Sequence, residues 1–124
     1  MTHEEELVRA FIEPRRKERY FEFVASPRLR KRFLQELAHF KHLDIRYAKE
    51  VNLTTAQLAG LLKEMRVPEM CWVVSEDPKI DRKLMPVSAA VAELGRDMGT
   101  FLSFVAGKLA YFEDEDGRWL LQHP

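Results

Sequence analysis

The sequence has little of several residue types and patterns that commonly reveal a function. Cys71 is the only cysteine, which excludes an intrachain disulfide and a thiolate metal cluster. The five glycines are scattered, and none belongs to a phosphate-cradling loop or a dinucleotide-binding fingerprint. The sequence therefore gives no reason to expect a cofactor.

Long apolar runs are also missing. No stretch approaches the length of a membrane span, and residues 1–6 are acidic where a secretory signal would be basic and then apolar. We therefore expect a soluble, cytoplasmic protein without a membrane partner.

What the sequence does contain is the composition of a folded globule. It has 124 residues, of which 46% are hydrophobic and 32% are charged. This is enough to bury a continuous core beneath a well-solvated surface. We predict one domain over residues 1–124, in which a helical part (1–66) and a sheet part (67–124) share one core.

The charges are unevenly distributed, although the formal net charge is zero. Residues 1–66 carry 14 Lys+Arg and 10 Asp+Glu, a net of +4, whereas residues 67–124 carry 6 and 10, a net of −4. Basic residues are densest in 14–32. This cluster could meet phosphate or an acidic partner, or it could be a solvated helical surface answered by the acidic tip at 113–116.

Four helical segments are predicted in the first half of the chain. The sequences TxxE at 2–5 and TxxQ at 54–57 have the spacing of capping boxes, which begin the first and fourth helices. Pro14 ends or kinks the first helix and opens a second segment. Residues 26–27, Ser-Pro, open a third helix that we expect to end at about Phe40.

The second half of the chain is predicted to form a sheet. The apolar run 69–75 is rich in β-branched and aromatic residues and predicts a buried strand. Pro86 then opens a helix that Gly99 ends as a left-handed cap, and 100–122 has the turn signals of a three-stranded meander. A strand, a helix and a strand in succession favour a right-handed crossover, with strand 70–75 parallel to the next.

Together these elements predict an α+β fold. About four helical segments are followed by β-α-β-β-β, and the helices pack on one four-stranded mixed sheet. The last strand, 118–122, would have an exposed edge, which could pair with a second copy in a homodimer.

The most distinctive predicted surface is the polar side of the third helix. At 100° per residue this side carries three cations, an amide and two imidazoles, namely Arg28, Lys31, Arg32, Gln35, His39 and His42. Such a face could follow a phosphate backbone. Glutamates interrupt the basic cluster and the pI is only 6.9, so nucleic acid is a possible partner but not the favoured one.

A metal site on the same helix has weaker support. Glu36, His39 and His42 are spaced three apart and could turn one carboxylate and two imidazoles towards an ion. Their spacing is not that of the helical zinc proteases, and Arg32 and Lys41 would repel a cation. We therefore assign no metal to these residues.

The second candidate site is an acidic loop after the first strand. Glu76, Asp77 and Asp81 follow the carboxyl end of that strand, where open sheets with crossover connections bind ligands. Their carboxylates could hold a hard cation such as Mg²⁺ or act as an acid/base pair. Asp and Pro are equally what an ordinary turn contains.

No catalytic constellation is visible. Cys71 lies in an apolar strand, where a thiol is usually inert, and Ser75 and Ser103 lack a glycine-flanked nucleophile elbow. The leading hypothesis is therefore a non-catalytic binding or regulatory module for a protein or small-molecule partner. The alternatives are a nucleic-acid-binding protein that uses the face 28–42, and a metal-assisted or acid/base enzyme that uses the loop 75–85.

Overall fold

A computed structural model describes all residues from Met1 to Pro124. The chain forms a single α+β domain with five α-helices and one six-stranded sheet. The helices are α1 (His3–Phe11), α2 (Lys17–Ala25), α3 (Arg30–Leu37), α4 (Thr55–Glu64) and α5 (Val87–Ala92). The strands are β1 (Ala48–Glu50), β2 (Met70–Ser75), β3 (Lys83–Pro86), β4 (Thr100–Val105), β5 (Leu109–Glu113) and β6 (Arg118–Gln122).

Two helices begin at the predicted capping boxes. At α1 the Thr2 hydroxyl accepts a hydrogen bond from the Glu5 backbone N–H at 3.1 Å, and the Glu5 carboxylate accepts one from Thr2 N–H at 3.1 Å. At α4 the same reciprocal pair joins Thr54 and Gln57. Each box satisfies backbone donors that have no partner inside the helix.

Single turns of 3-10 helix connect the first three helices. They span Pro14–Arg16 and Pro27–Leu29, so each proline opens a tight turn that leads into the next α-helix. The third helix ends at Leu37, three residues before the predicted end at Phe40.

The α+β class is confirmed, but the predicted four-stranded mixed sheet is wrong. The six strands lie in the order β1-β6-β5-β4-β2-β3, and every neighbouring pair is antiparallel. The sequence analysis missed β1 and β3. Neither has the alternating apolar pattern of a strand: β1 is Ala-Lys-Glu, and β3 is Lys-Leu-Met-Pro within a segment that reads as a polar connection.

The predicted parallel pairing of 70–75 with 100–106 is also wrong. Val73 lies opposite Leu102 in an antiparallel ladder between β2 and β4. The reason is β3, which reverses the chain before α5 begins. The crossover helix therefore starts from β3 rather than β2, and β3 and β4 flank β2 on its two sides.

The last strand has no exposed edge of the kind the homodimer hypothesis requires. β6 lies between β5 and β1, with Ala48 opposite Leu121 and Glu50 opposite Trp119. The free edges belong to β1 and β3 instead. Both are short and carry charged residues or proline, features that discourage pairing with another chain.

The helices cover both faces of the sheet. The first three pack on one face, where the buried strand residues are Val74, Phe101, Ala110, Phe112 and Leu121. The last two pack on the other face, where the buried strand residues are Cys71, Val73, Leu102, Phe104 and Tyr111. Adjacent residues of a strand point to opposite faces, which explains why β2 and β4, covered on both faces, are largely apolar and do not alternate.

The predicted helix cap at Gly99 is wrong. The helix before β4 ends at Ala92, and the glycine with a left-handed backbone is Gly95, at φ 84°. Gly99 is required for a different reason, because a Cβ there would lie 2.6 Å from the carbonyl carbon of Leu37. The close approach joins the end of α3 to the start of β4.

No helix in the structure is both long and apolar enough to cross a membrane.

Candidate functional site

The candidate site is a cavity of about 430 Å³ on the side of the sheet covered by α1, α2 and α3. It opens between the start of α1, the end of α2 with the turn that follows, and β2. The side chains around it combine apolar and aromatic groups with two guanidinium groups. They belong to Thr2, His3, Glu4, Phe23, Val24, Ser26, Pro27, Arg30, Trp72 and Arg82.

Arg30 is the most extensively hydrogen-bonded charged group on the cavity wall. Its Nη2 donates to Asp81 Oδ1 at 2.7 Å and its Nε to Asp81 Oδ2 at 3.2 Å, while Nη1 donates to Glu4 Oε1. The side chains of Arg30, Glu4 and Asp81 are only 12%, 11% and 10% exposed. The triad ties α1, α3 and the β2–β3 loop to one another.

The ionised state of Arg30 is secured by these bonds. Burial disfavours the charge, but the hydrogen bonds to Asp81 and Glu4 outweigh burial and raise the pKa of the guanidinium above its usual value. Arg30 is therefore a permanent cation, and each of its two carboxylate partners holds one side of its planar fork.

Hydrogen bonds hold Trp72 and His3 in place. Trp72 Nε1–H donates to Glu4 Oε2 at 2.9 Å. His3 Nδ1 lies 2.9 Å from Ser103 Oγ on β4, and the His3 ring is within 14° of parallel to the Trp72 ring. Since Glu4, Arg30, Trp72 and His3 each have a fixed partner, this part of the wall is organised before any ligand arrives.

The contact between His3 and Ser103 has the geometry of a base beside a hydroxyl, but it does not form an accessible nucleophile. Ser103 is only 2% exposed and does not line the cavity. The serine orients the imidazole and leaves His3 Nε2 available on the other side of the ring. Cys71 is no alternative nucleophile, because burial raises the pKa of its thiol to about 12.

Arg82 is the second cation on the cavity wall, and it differs from Arg30. Its side chain is exposed and forms no ion pair, whereas Arg30 is shared between two carboxylates. Its backbone has φ 59°, in the left-handed region that disfavours residues with a Cβ. Arg82 is therefore the free charge at this site.

The predicted acidic loop does not form one site. Glu76 accepts a hydrogen bond from Gly99 N–H at 2.6 Å, and Asp77 accepts one from Lys79 N–H at 3.0 Å. Asp81 accepts from Ser75 N–H at 2.9 Å as well as from Arg30. The three carboxylates are not close enough together to share an ion, and each stabilises the local backbone or the Arg30 triad.

The predicted basic face is divided by the structure. Arg28, Lys31, Arg32 and Gln35 are exposed on or beside α3, without ion pairs. The two histidines lie beyond the end of α3. His39 Nδ1 is 2.7 Å from Glu115 Oε1 in the β5–β6 turn.

His42 is partly buried and contacts α2. Its Nδ1 lies 2.6 Å from the hydroxyl of Tyr20 on α2, whose pKa is raised chiefly by burial. Glu36, His39 and His42 do not converge on a common point; the one set of possible metal ligands that does converge is His39, Glu115 and Asp116, all exposed.

None of the residues that line the cavity was predicted from the sequence as a site residue; the predicted Asp81 is bonded to Arg30 but does not line the cavity. The available signal was the spacing of Arg30, which precedes the buried Phe33 and Leu37 by three and seven positions and so shares their face. No local pattern could have joined His3 to Ser103, which are 100 positions apart.

Comparisons with family models, with curated proteins and with solved structures gave no match to this chain.

Proposed function

We propose that the protein is a non-catalytic binding module that takes a small molecule into the cavity between α1, α2 and β2. The observation that carries this proposal is the composition of the cavity wall. An apolar side, with Phe23, Val24 and Trp72, faces the same space as Arg30 and Arg82. Ligand sites are typically concave, mostly apolar and equipped with a few fixed polar groups, and their volumes begin at about 300 Å³.

The fixed orientation of the polar groups supports binding as the function. Glu4 links Arg30 to Trp72, and Ser103 holds His3, so little side-chain freedom is lost when a ligand enters. Reduced loss of conformational entropy is the main gain from a preorganised site.

The state of the possible catalytic groups favours binding over chemistry. Both oxygens of Glu4 already accept hydrogen bonds, Ser103 is buried beneath His3, and Cys71 is buried on the other face of the sheet. A general base without a nucleophile or a second titrating partner is a poor basis for an enzyme mechanism.

The proposal is tested by a blocked cavity. A mixed panel of acidic, basic and neutral aromatic fragments is screened by two-dimensional NMR, which reports on each backbone and indole N–H group. We expect fragments that shift the signals of residues 2–4, 23–30 and 72, and we expect Ser26→Phe to abolish those shifts. Ser26 makes no cap hydrogen bond that the substitution would remove.

Ser88→Phe is the matched control. Ser88 lines a groove between α4 and α5, on the opposite side of the sheet, and the same substitution there should leave fragment binding unchanged. If no fragment shifts the cavity signals, or if Ser26→Phe leaves the shifts intact, the proposal is wrong.

Nucleic-acid binding is the second candidate, favoured by one observation. Arg28, Lys31 and Arg32 are exposed, unpaired and within five positions of one another. Binding through them would weaken steeply with salt and would be lost when all three become alanine. The measurement is fluorescence anisotropy of labelled single-stranded RNA and duplex DNA at low salt; no binding there removes this candidate.

A further inference from the structure

We infer that the ligand of the cavity is a small monocarboxylate with a planar, apolar body. This inference rests on the proposed function and adds the chemical class of the ligand to it. Three properties of the wall carry it: the balance of donors and acceptors, the one cation without a partner, and the aromatic rings of the apolar side.

The wall has more free hydrogen-bond donors than acceptors. Arg30 uses three of its five N–H groups on Asp81 and Glu4, which leaves two, and Arg82 has no carboxylate partner at all. The one carboxylate on the wall is that of Glu4, and each of its oxygens already accepts a bond, from Arg30 or from Trp72. Such a wall suits a ligand that accepts hydrogen bonds, above all an oxyanion.

The one cation without a partner favours a ligand with one negative charge. Both Glu4 and Asp81 are bound to Arg30, so Arg82 is the charge that a ligand can neutralise. A monoanion pairs with Arg82 and adds no charge beyond that pair. A phosphate monoester carries about −1.5 to −2 at neutral pH and would add uncompensated negative charge beside Glu4 and Asp81.

The apolar part of the wall contains two aromatic rings. It is formed by Phe23, Val24, Pro27 and Trp72, and the only polar side-chain atom of Trp72 is already bound to Glu4. The indole therefore offers its ring rather than its N–H to a ligand. Aromatic rings pack on planar apolar groups in offset or edge-to-face arrangements, so we expect an unsaturated or aromatic body.

Four matched probes separate these properties. Cinnamate, cinnamamide, cinnamylamine and cinnamyl phosphate share one planar body and differ in the charge of the head group. Binding is followed through the Trp72 indole N–H signal, which is distinguished from that of Trp119 with Trp119→Phe. We expect cinnamate to bind at least about tenfold more tightly than each of the other three. The amide lacks the charge, the amine carries the wrong sign, and the phosphate adds a second negative charge beside Glu4 and Asp81.

Arg82→Asn tests which cation is responsible. Asparagine tolerates the left-handed backbone that Arg82 occupies, so the variant should keep the wild-type melting temperature. We expect it to weaken cinnamate about fivefold or more and to leave cinnamamide unchanged. Arg66→Asn is the control: Arg66 has nearly the same backbone, with φ 55°, but lies at the end of α4, away from the cavity.

The outcomes distinguish this inference from the proposed function. Equal binding of cinnamate and cinnamamide, tighter binding of the amine or the phosphate, or an equal effect of Arg82→Asn on all probes would overturn the carboxylate inference. If neutral or basic fragments bound in the cavity and Ser26→Phe prevented their binding, the proposed binding function would stand without the carboxylate inference. If neither the four probes nor the mixed panel reached the cavity, both would fall.

Discussion

Gly99 and Gly60 differ in whether a side chain would fit at their positions. A Cβ at Gly99 would collide with the backbone of Leu37, whereas a Cβ at Gly60 would have no neighbour within 4 Å. We expect Gly99→Ala to destabilise the protein by about 1–3 kcal/mol through overpacking. We expect Gly60→Ala, in the interior of α4, to stabilise it by about 0.5–1 kcal/mol through helix propensity.

Urea denaturation of the two glycine variants checks this prediction. The same methyl group is added in both, so the sign of the change in unfolding free energy depends on the surroundings alone. A Gly99→Ala variant as stable as the wild type would mean that α3 and β4 do not approach as closely as the structure has them.

Asp44 makes stability depend on pH at the acidic end. Its side-chain hydrogen bonds from Arg46 lower the pKa of the carboxyl below its ordinary value of 3.8. A carboxyl with a lowered pKa in the folded state stabilises above its unfolded pKa, and that contribution is lost as the pH falls below 3.8. Arg46 is largely exposed, so the contribution is modest, up to about 1 kcal/mol.

Asp44→Asn tests the linkage. At neutral pH we expect the variant to be less stable than the wild type, and we expect the gap to close as the pH is lowered through the range below 3.8. Melting temperatures measured from pH 6 to about pH 2.5 report the gap. A gap that does not change with pH would show that the charge of Asp44 contributes nothing.

Among the elements, the start of α1 has a role that the start of α4 does not. Both helices begin with a capping box, but only α1 places His3 and Glu4 on the cavity wall. We expect Glu5→Ala and Gln57→Ala each to lower the stability of the protein slightly, since each removes half of a box. Only Glu5→Ala should weaken cinnamate binding.

Charge cannot explain that expected difference. Removing the negative charge of Glu5 would by itself favour an anionic ligand, so weaker binding of cinnamate would report the loosened first turn. Calorimetric titration of both variants measures it. Equal affinities in the two variants would contradict the view that the capping box holds the cavity wall in place.

The elements also show which parts of a fold a sequence can predict. The capping boxes and prolines are local signals, and the helices at 3–11 and 55–64 begin where those signals lie. β1 and β3 depend on pairing with β6 and β2, strands that lie elsewhere in the chain, and three or four residues carry too little pattern to reveal it. Missing β3 is what made a parallel crossover plausible.

In the molecule as a whole, Arg30 connects the helices on one face of the sheet to the loop between β2 and β3. It reaches Glu4 at the start of α1 and Asp81 before β3, and all three side chains are nearly buried. Such a site cannot be predicted from local spacing, because the partners are 26 and 51 positions away. The sequence pattern alone shows only that Arg30 shares a helical face with apolar residues.

Removing Arg30 should destabilise the whole molecule. Arg30→Ala leaves two buried carboxylates without their cation, and breaking a buried ion pair in this way costs about 3–5 kcal/mol. We expect hydrogen exchange to show loss of protection mainly in α1, α2 and α3. Arg32→Ala, an exposed cation on the same helix, should stay within about 0.5 kcal/mol of the wild type. Equal stability of the two variants would contradict a structural role for the triad.

The binding of a small planar carboxylate in the cavity beside Trp72 can be seen in a crystal structure of the protein with saturating cinnamate. We expect the carboxylate within hydrogen-bonding distance of Arg82 and Arg30, with the ring against Phe23 and Trp72. An empty cavity at saturating cinnamate, or a ligand bound only in the groove between α4 and α5, would contradict it.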